Sequence, residues 1–321
     1  MLIPVLLFLV GLVLLIKGGD WFVDGATDIA HRFHIPEILV GATVVSIGTT
    51  LPEVMVSATG ALNGQGAMAY GNAIGSIICN TSLIAALTIT VKPGPVDVKS
   101  LKMPVIFFFL SAIIYAVVAY TSGDFTRPLG LVLLAIFFVY MFMTVRAGFK
   151  NPQPQDSTEA DSEEDPLWKS LLLLIGGAAV IAVGANLLVD NGTLIAQALG
   201  VPESVIALTF VALGTSLPEL VTAITSLIKG HGSLSLGNII GANIFNLVLV
   251  SGVSVTLAPF HIPEAARLFG RNASLVLDIP VMLSVMAIMT LPALARKKLS
   301  RAQGIVLLCI YAAFCVIQFT M

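Results

Sequence analysis

Apolar runs of about 20 residues recur along the whole chain and are separated by short polar breaks. A run of this length crosses the hydrocarbon layer of a bilayer as a helix, whereas a transmembrane barrel shows a weaker, alternating pattern. The chain is therefore predicted to be an all-α membrane protein. Ten transmembrane helices are expected, over about residues 3–30, 36–62, 70–91, 103–120, 128–147, 167–197, 202–228, 236–257, 274–294 and 302–320.

The second half of the chain repeats the first half at an offset of 166 residues. The alignment pairs Gly11 with Gly177 and Asp24 with Asp190, and it needs no gap as far as Asn80. Each half holds five of the ten predicted spans, and an odd number means that consecutive copies enter the bilayer from opposite sides. The pattern predicts two inverted-topology five-helix repeats, an arrangement that places a substrate site near the bilayer midplane.

The repeats are expected at residues 1–147 and 167–321, and the segment 148–166 between them differs in composition. This segment is rich in proline and in acidic residues, but it lacks the glycine and the ligand spacing of an EF-hand loop. Such a composition favours a solvated cytoplasmic linker over a calcium-sensing element. The acidic residues of the segment are Asp156, Glu159, Asp161, Glu163, Glu164 and Asp165.

Composition narrows the functional classes. Only 11% of the residues are charged, compared with about 25% in soluble domains, and the net charge of −2 offers no basic surface to nucleic acid. The cysteines at positions 79, 309 and 315 lie in apolar runs without the spacing of metal ligands. Because no nucleophile–base pair and no metal-ligand triad stands out, an enzyme is disfavoured and no cofactor is expected. Nothing in the pattern requires an oligomer.

Basic residues predict the orientation in the membrane. Twelve lysines and arginines fall on one set of connections, whereas only Arg127, Arg267 and Arg271 fall on the opposite set. Basic residues concentrate on the cytoplasmic side of membrane proteins, so the first set is expected in the cytoplasm. The lipid bilayer is then a partner, and we expect a multi-pass protein of the inner (cytoplasmic) membrane with both termini outside or in the periplasm.

One acidic motif occurs in both halves, as G-T-T-L-P-E at 48–53 and as G-T-S-L-P-E at 214–219. Each copy places a glutamate, Glu53 or Glu219, inside an apolar span, where a charge costs roughly 2.5 to 3.5 kcal/mol and is retained mainly for function. Pro52 has no amide hydrogen for the Gly48 carbonyl, so we expect an interrupted helix at 48–52 and at the equivalent 214–218. Thr49, Thr50, Thr215 and Ser216 lie beside these glutamates.

A second repeated motif, G-N-x-I-G, begins at Gly71 and at Gly237 and ends on Asn80 and Asn246. Asn72, Ser76 and Asn80 are four residues apart and form a polar stripe on a helix; the equivalent stripe is Asn238, Ala242 and Asn246. Carboxylate, hydroxyl, amide and carbonyl oxygens without histidine or cysteine suit Na⁺ or Ca²⁺ and not zinc or copper. The motifs together predict one cation site shared by the two halves.

The two motif pairs resemble the α-repeats of the cation/Ca²⁺ antiporter superfamily, most closely the prokaryotic sodium/calcium exchangers. The resemblance covers essentially the whole chain. It implies alternating access in which Na⁺ entry drives Ca²⁺ out across the cytoplasmic membrane, with the first and sixth helices sliding as the gate and no cofactor involved. The ligands that it implies are Ser46 and Ala212 through their backbone carbonyls, together with Thr49, Thr50, Glu53, Ser76, Asn80, Thr215, Ser216, Glu219 and Asn246.

The chain departs from the pattern of that family at two places. Family members often carry an aspartate at one of the positions held by Asn80 and Asn246, and a serine where this chain has Ala242. Two carboxylates still neutralise one Ca²⁺, but the driving ion stays open between Na⁺ and H⁺. A proton-coupled cation antiporter of the same fold is therefore the first alternative. A cation channel with the two glutamates as its filter is the second.

Overall fold

The computed structural model describes residues 2–150, 166–199, 214–264 and 267–320. Within these ranges nine helices are long and apolar enough to span a membrane, and a tenth, shorter helix belongs to the seventh predicted span, whose residues 202–213 lie outside the description. The linker residues 151–165 also lie outside it. The helices are α1 (Leu2–Arg32), α2 (Glu37–Leu62), α3 (Gly66–Val91), α4 (Val98–Thr121), α5 (Arg127–Lys150), α6 (Leu167–Ala198), α7 (Leu217–Ile228), α8 (Gly232–Leu257), α9 (Ser274–Arg296) and α10 (Arg301–Thr320).

Helices α1 and α6 pack closely along a row of glycines. A Cβ atom on Gly11 would lie 2.9 Å from the Gly184 carbonyl oxygen, and one on Gly18 would lie 3.0 Å from the Gly177 carbonyl oxygen. Glycine allows the two backbones this close approach. The contacts run in opposite order along the two helices, so α1 and α6 are antiparallel. Because the repeat makes them equivalent helices, their antiparallel packing is what inverted repeats require.

Short strand pairs join the halves at opposite ends of the helices. Strand β1 (Gly94–Pro95), after α3, pairs with β6 (Lys298–Leu299), after α9. Strand β2 (Asp124–Phe125), after α4, pairs with β3 (Phe260–His261), after α8. Successive spans end on opposite sides, and position 94 shifted by 166 residues is position 260. Each pair therefore repeats the other with the halves exchanged. Strands β4 (Arg267–Leu268) and β5 (Arg271–Asn272) form a separate hairpin before α9.

Burial identifies the centre of the bundle. The most apolar stretch of α8 is 83% buried within the protein, whereas that of α10 is only 17% buried. The largest fully buried side chains include Tyr115, Phe108 and Phe245, which lie in one continuous core that links α3, α4, α8 and α9. The second motif of the sequence thus lies on the most enclosed helix, α8, and its copy lies on α3. The apolar outer faces suit lipid.

The two copies of the acidic motif differ in backbone conformation. The predicted interruption at 48–52 is wrong, because Ser46–Leu62 is a continuous α-helix with Pro52 inside it, preceded by a π-helical turn at Gly41–Val45. The φ angle of proline is helical, so Pro52 can lie within the helix although it cannot donate to the Gly48 carbonyl. In the second copy the helix does break at residues 215–216, and Pro218 takes an early position of α7, where no amide hydrogen is needed.

Candidate cation site

Two glutamates from the two halves form the centre of the site. Glu53 lies within α2 and Glu219 in the first turn of α7, and both are fully buried. The two carboxylates are close enough to interact electrostatically. None of their four oxygens accepts a hydrogen bond of normal distance and angle from a described residue, although the Thr49 and Thr50 hydroxyls lie near the Glu219 carboxylate. Buried carboxylates are normally paired or bound to a metal ion, so this pair points to a cationic ligand.

Hydroxyl groups of the first half lie beside Glu219. The Glu219 carboxylate faces Thr49 and Thr50 of the opposite half. The hydroxyl oxygens of Thr50 and Ser216 are buried and have no hydrogen-bond partner within the described residues. The role of these hydroxyl groups as ligands stays a prediction. Their oxygens are of the type that Na⁺ and Ca²⁺ accept.

Asn80 and Asn246 add amide oxygens in equivalent positions. Each begins a π-helical turn, over Asn80–Ala85 in α3 and Asn246–Val250 in α8. Both side chains are fully buried, and neither amide has a partner among the residues described. The π-helical turn frees backbone carbonyls, and such turns are frequent at functional sites. The Ser251 hydroxyl donates to one of these carbonyls, that of Asn246, at 2.9 Å.

Asn72 and Asn238 belong to the site more closely than the sequence indicated. Thr49 Oγ1 donates to Asn238 Oδ1 at 3.2 Å, and Thr215 Oγ1 donates to Asn72 Oδ1 at 3.3 Å. Each asparagine thus contacts the acidic motif of the opposite half. The polar stripes placed both residues on the correct helix face, but only the packing of the halves supplies their partners.

The remaining predicted ligands are placed as follows. Ser46 is fully buried, and its hydroxyl lies 2.8 Å from the Gly41 carbonyl and 3.0 Å from the Asn238 carbonyl. Ser76 is 5% exposed, on the same helix as Asn80. Ala212 lies outside the described residues, so the carbonyl ligand proposed there stays a prediction.

A small cavity adjoins the site on the side of α1 and α6. It measures about 10 Å³, room for about one water molecule, and Phe22, Thr49, Pro52 and Pro218 are among its lining residues. In the described ranges no group of three or more histidine, cysteine, aspartate or glutamate side chains could hold a metal ion. The chemistry of the site therefore rests on two carboxylates and neutral oxygens.

The comparison with known proteins decides the family. The family model described as sodium/calcium exchanger protein matches residues 3–146 and 169–320, nearly the whole chain. The chain belongs to this family. Exchangers are transporters and not enzymes, and they carry Na⁺ and Ca²⁺ without an implied cofactor, so these three predictions are confirmed.

Individual relatives cover the exchanger almost completely. Sodium/calcium exchanger MaX1 of Methanosarcina acetivorans is 31% identical over 350 residues, covering 98% of both chains. Inner membrane protein YrbG of Escherichia coli is 35% identical over 297 residues, covering 89% of both chains. The solved structure of the sodium-calcium exchanger NCX_Mj, soaked with Na⁺ and Sr²⁺, matches with a TM-score of 0.82 at 34% identity and covers 97% of both chains.

These matches confirm the fold class: this exchanger is an all-α, multi-pass membrane protein whose ten helices in inverted repeats fit the fold of NCX_Mj. The membership supports cation/Ca²⁺ exchange as the activity.

Proposed function

We propose that this exchanger moves Na⁺ and Ca²⁺ in opposite directions, and that Glu53 and Glu219 bind the two ions in turn at one site. The observation that carries the proposal is the pair of fully buried carboxylates, whose oxygens accept no hydrogen bond of normal distance and angle from a described residue. Two negative charges match one Ca²⁺. Removing Ca²⁺ leaves both charges uncompensated in a dry site, which favours replacement by Na⁺ before the site is exposed on the other side.

The proposed ligand shell combines the glutamates with neutral oxygens of both halves. The two carboxylates supply the charge, and the surrounding hydroxyl, amide and carbonyl groups replace the hydration shell of the ion. The shell comprises Glu53, Glu219, Thr49, Thr50, Thr215, Ser216, Ser76, Asn80, Asn246 and the carbonyls of Ser46 and Ala212. Because Na⁺ and Ca²⁺ compete for the same two carboxylates, their fluxes are coupled.

The proposal includes an orientation and a division of the chain. The repeats 1–147 and 167–321 lie in the inner membrane, the linker 148–166 lies in the cytoplasm, and both termini face outward. The excess of basic residues on one set of connections supports this orientation. The relative YrbG, named an inner membrane protein, supports the location.

The decisive experiment uses purified protein in vesicles loaded with Na⁺. ⁴⁵Ca²⁺ uptake is measured with and without an outward Na⁺ gradient and with an imposed pH gradient. Glu53→Gln and Glu219→Gln should each weaken the apparent Ca²⁺ affinity by about 30-fold or more, because each removes a charge from a desolvated ion contact. Glu264→Gln is the matched control, since this side chain is 64% exposed near His261.

Three outcomes would contradict the proposal. Uptake that ignores the Na⁺ gradient would exclude Na⁺ as the driving ion, and uptake that follows the pH gradient instead would identify a proton-coupled antiporter. Ion conductance without obligatory exchange would identify a channel.

A further inference from the structure

The same hydrogen bond occurs twice across the boundary between the halves. Thr49 of α2 donates to Asn238 of α8, and Thr215, just before α7, donates to Asn72 of α3. The offset of 166 residues relates Thr49 to Thr215 and Asn72 to Asn238. Both bonds therefore join a threonine of one acidic motif to the asparagine of the second motif in the other half. A contact that repeats under the internal symmetry serves both halves of the site.

This bond determines what the threonine can offer a cation. A hydroxyl group has one hydrogen and two lone pairs. When the hydrogen is donated to an asparagine oxygen, the lone pairs are left for a positive ion. A hydroxyl without such an acceptor can turn its hydrogen toward the ion and repel it.

We propose that Asn72 and Asn238 are positioning residues of the cation site, each of which orients the threonine ligand of the opposite half. This inference rests on the proposed function, because it assumes that Thr49 and Thr215 bind the transported ion. The proposed function then has a further requirement. The two threonine hydroxyls are oriented as ligands only when the two halves pack so that each threonine contacts the asparagine of the other half.

The two asparagines use their amide nitrogens differently. Asn72 Nδ2 donates to the Glu53 carbonyl at 3.2 Å and to Ser57 Oγ at 2.8 Å, so all of its polar atoms are engaged. Asn238 Nδ2 is buried and has no partner within the described ranges. Asn238 therefore needs only its oxygen, which also lies 3.3 Å from Ser46 Oγ, whereas Asn72 needs both its oxygen and its nitrogen.

This difference gives a charge-matched test. Aspartate keeps the acceptor oxygen of asparagine and loses the donor nitrogen. Asn238→Asp should keep the half-saturating Ca²⁺ concentration within about 3-fold of wild type, whereas Asn72→Asp should raise it by about 10-fold or more. Both substitutions add the same charge at equivalent positions, so charge alone cannot produce opposite results. Asn238→Leu removes the acceptor and should raise the half-saturating Ca²⁺ concentration about 10-fold.

A double-mutant cycle connects the effect to the threonine. If Asn238 acts through Thr49, the variant Thr49→Val/Asn238→Leu should bind Ca²⁺ no more weakly than Thr49→Val alone. Asn243→Leu is the control in the same helix: it also removes a fully buried asparagine, but one whose nitrogen contacts Thr81 Oγ1 and Met286 Sδ. Its effect on Ca²⁺ binding should add to that of Thr49→Val.

Two measurements keep this inference separate from the proposed function. Na⁺-driven ⁴⁵Ca²⁺ uptake by the wild type tests the function, and the concentration of Ca²⁺ or of Na⁺ that half-maximally raises the Tm in detergent tests binding without transport. If wild-type protein binds Ca²⁺ but shows no Na⁺-driven Ca²⁺ uptake, only the proposed function is overturned. The inference is overturned if wild-type protein binds neither ion, or if Asn238→Leu binds Ca²⁺ as tightly as wild type does. It is also overturned if the loss of Ca²⁺ affinity in Asn238→Leu adds fully to the loss in Thr49→Val, or if Asn238→Asp binds Ca²⁺ as weakly as Asn238→Leu.

Discussion

Charged side chains outside the cation site meet at the turn between α7 and α8. Lys229 Nζ lies 2.7 Å from Asp24 Oδ1 and 3.6 Å from Asp20 Oδ1, which connects the turn to α1. His231 Nδ1 lies 2.7 Å from Glu37 Oε1 at the start of α2. These contacts join the two halves of the exchanger at one end of the bundle.

The contact between His231 and Glu37 predicts a pH-dependent stability. The hydrogen bond with Glu37 raises the pKa of His231 above its ordinary value of 6.5; burial and Lys229 lower this pKa, while Asp24 raises it further. A pKa that is higher in the folded state means that protonation stabilises the fold below the ordinary pKa, and this stabilisation is lost as the pH rises through the raised pKa. His31 Nε2 also lies 3.9 Å from Glu37 Oε1, so Glu37 contacts a second histidine of the same end of the bundle.

His231→Gln should therefore lower the Tm of the detergent-solubilised protein at about pH 6, and this difference should disappear at about pH 9. His261→Gln serves as a control, because His261 faces only the exposed acids Asp124 and Glu264 among the ion pairs of the described residues. A Tm difference for His231→Gln that stays constant across this pH range would contradict the prediction.

At the scale of elements, the exchanger compensates irregular helices with side chains of neighbouring helices. Pro292 lies inside α9 and cannot donate to the carbonyl of Ile288, four residues earlier. Gln303 of α10 donates to this carbonyl through Nε2 at 3.1 Å, and the same nitrogen lies 3.4 Å from the Met289 carbonyl. The side chain of Gln303 is buried, so the bond supplies a donor within the protein in place of the missing backbone hydrogen bond.

Gln303→Leu should destabilise the protein by about 1 kcal/mol, because it leaves the partly buried Ile288 carbonyl without a donor. The double variant Pro292→Ala/Gln303→Leu should recover part of this loss, since the substituted alanine supplies the missing amide hydrogen to the Ile288 carbonyl. The free energy of unfolding is measured in mixed micelles for the wild type, the two single variants and the double variant, which together form a double-mutant cycle. Equal destabilisation of Gln303→Leu in both backgrounds would show that Gln303 does not replace the missing bond.

At the scale of the whole molecule, the inverted orientation of the two halves can be tested at two equivalent turns. Gly64, between α2 and α3, and Gly230, between α7 and α8, are related by the offset of 166 residues, and both have a positive φ angle, +77° and +91°. Apart from the two chain neighbours of each glycine, no described residue lies within 4 Å of a Cβ atom built on Gly64 or Gly230. A side chain added at the two turns therefore meets the same local conditions.

Single cysteines at these turns should be labelled from opposite sides of the membrane. In a background without Cys79, Cys309 and Cys315, Gly64→Cys should react with a membrane-impermeant maleimide applied outside, and Gly230→Cys only after the cytoplasmic face is opened. The backbone strain of cysteine at a positive φ is shared by both variants, so it does not bias the comparison. Labelling of both cysteines from one side would contradict inverted topology.

The membrane spans were predictable because the bilayer sets their length and polarity locally. The structure places α9 at Ser274–Arg296 and α5 at Arg127–Lys150, close to the apolar runs 274–294 and 128–147. The internal repeat was also predictable, since equivalent residues of the two halves are separated by a constant 166 positions. The π-helical turns at Asn80 and Asn246 were not predictable, because no local residue pattern separates them from ordinary α-helix. The continuity of α2 through Pro52 was missed for a different reason: the proline was taken as a helix break, although its φ angle is compatible with a helix.

The sequence by itself determined the membrane class, the repeat and the residue types of the proposed cation site, because all three are properties of a single segment compared with its copy. It also placed Glu53 and Glu219 in apolar spans, where the cost of a buried charge signals function. Only the tertiary structure decided which side chains meet. Thr49 meets Asn238, and Thr215 meets Asn72, because two antiparallel halves pack face to face, and contacts between distant segments depend on that packing and not on either segment alone.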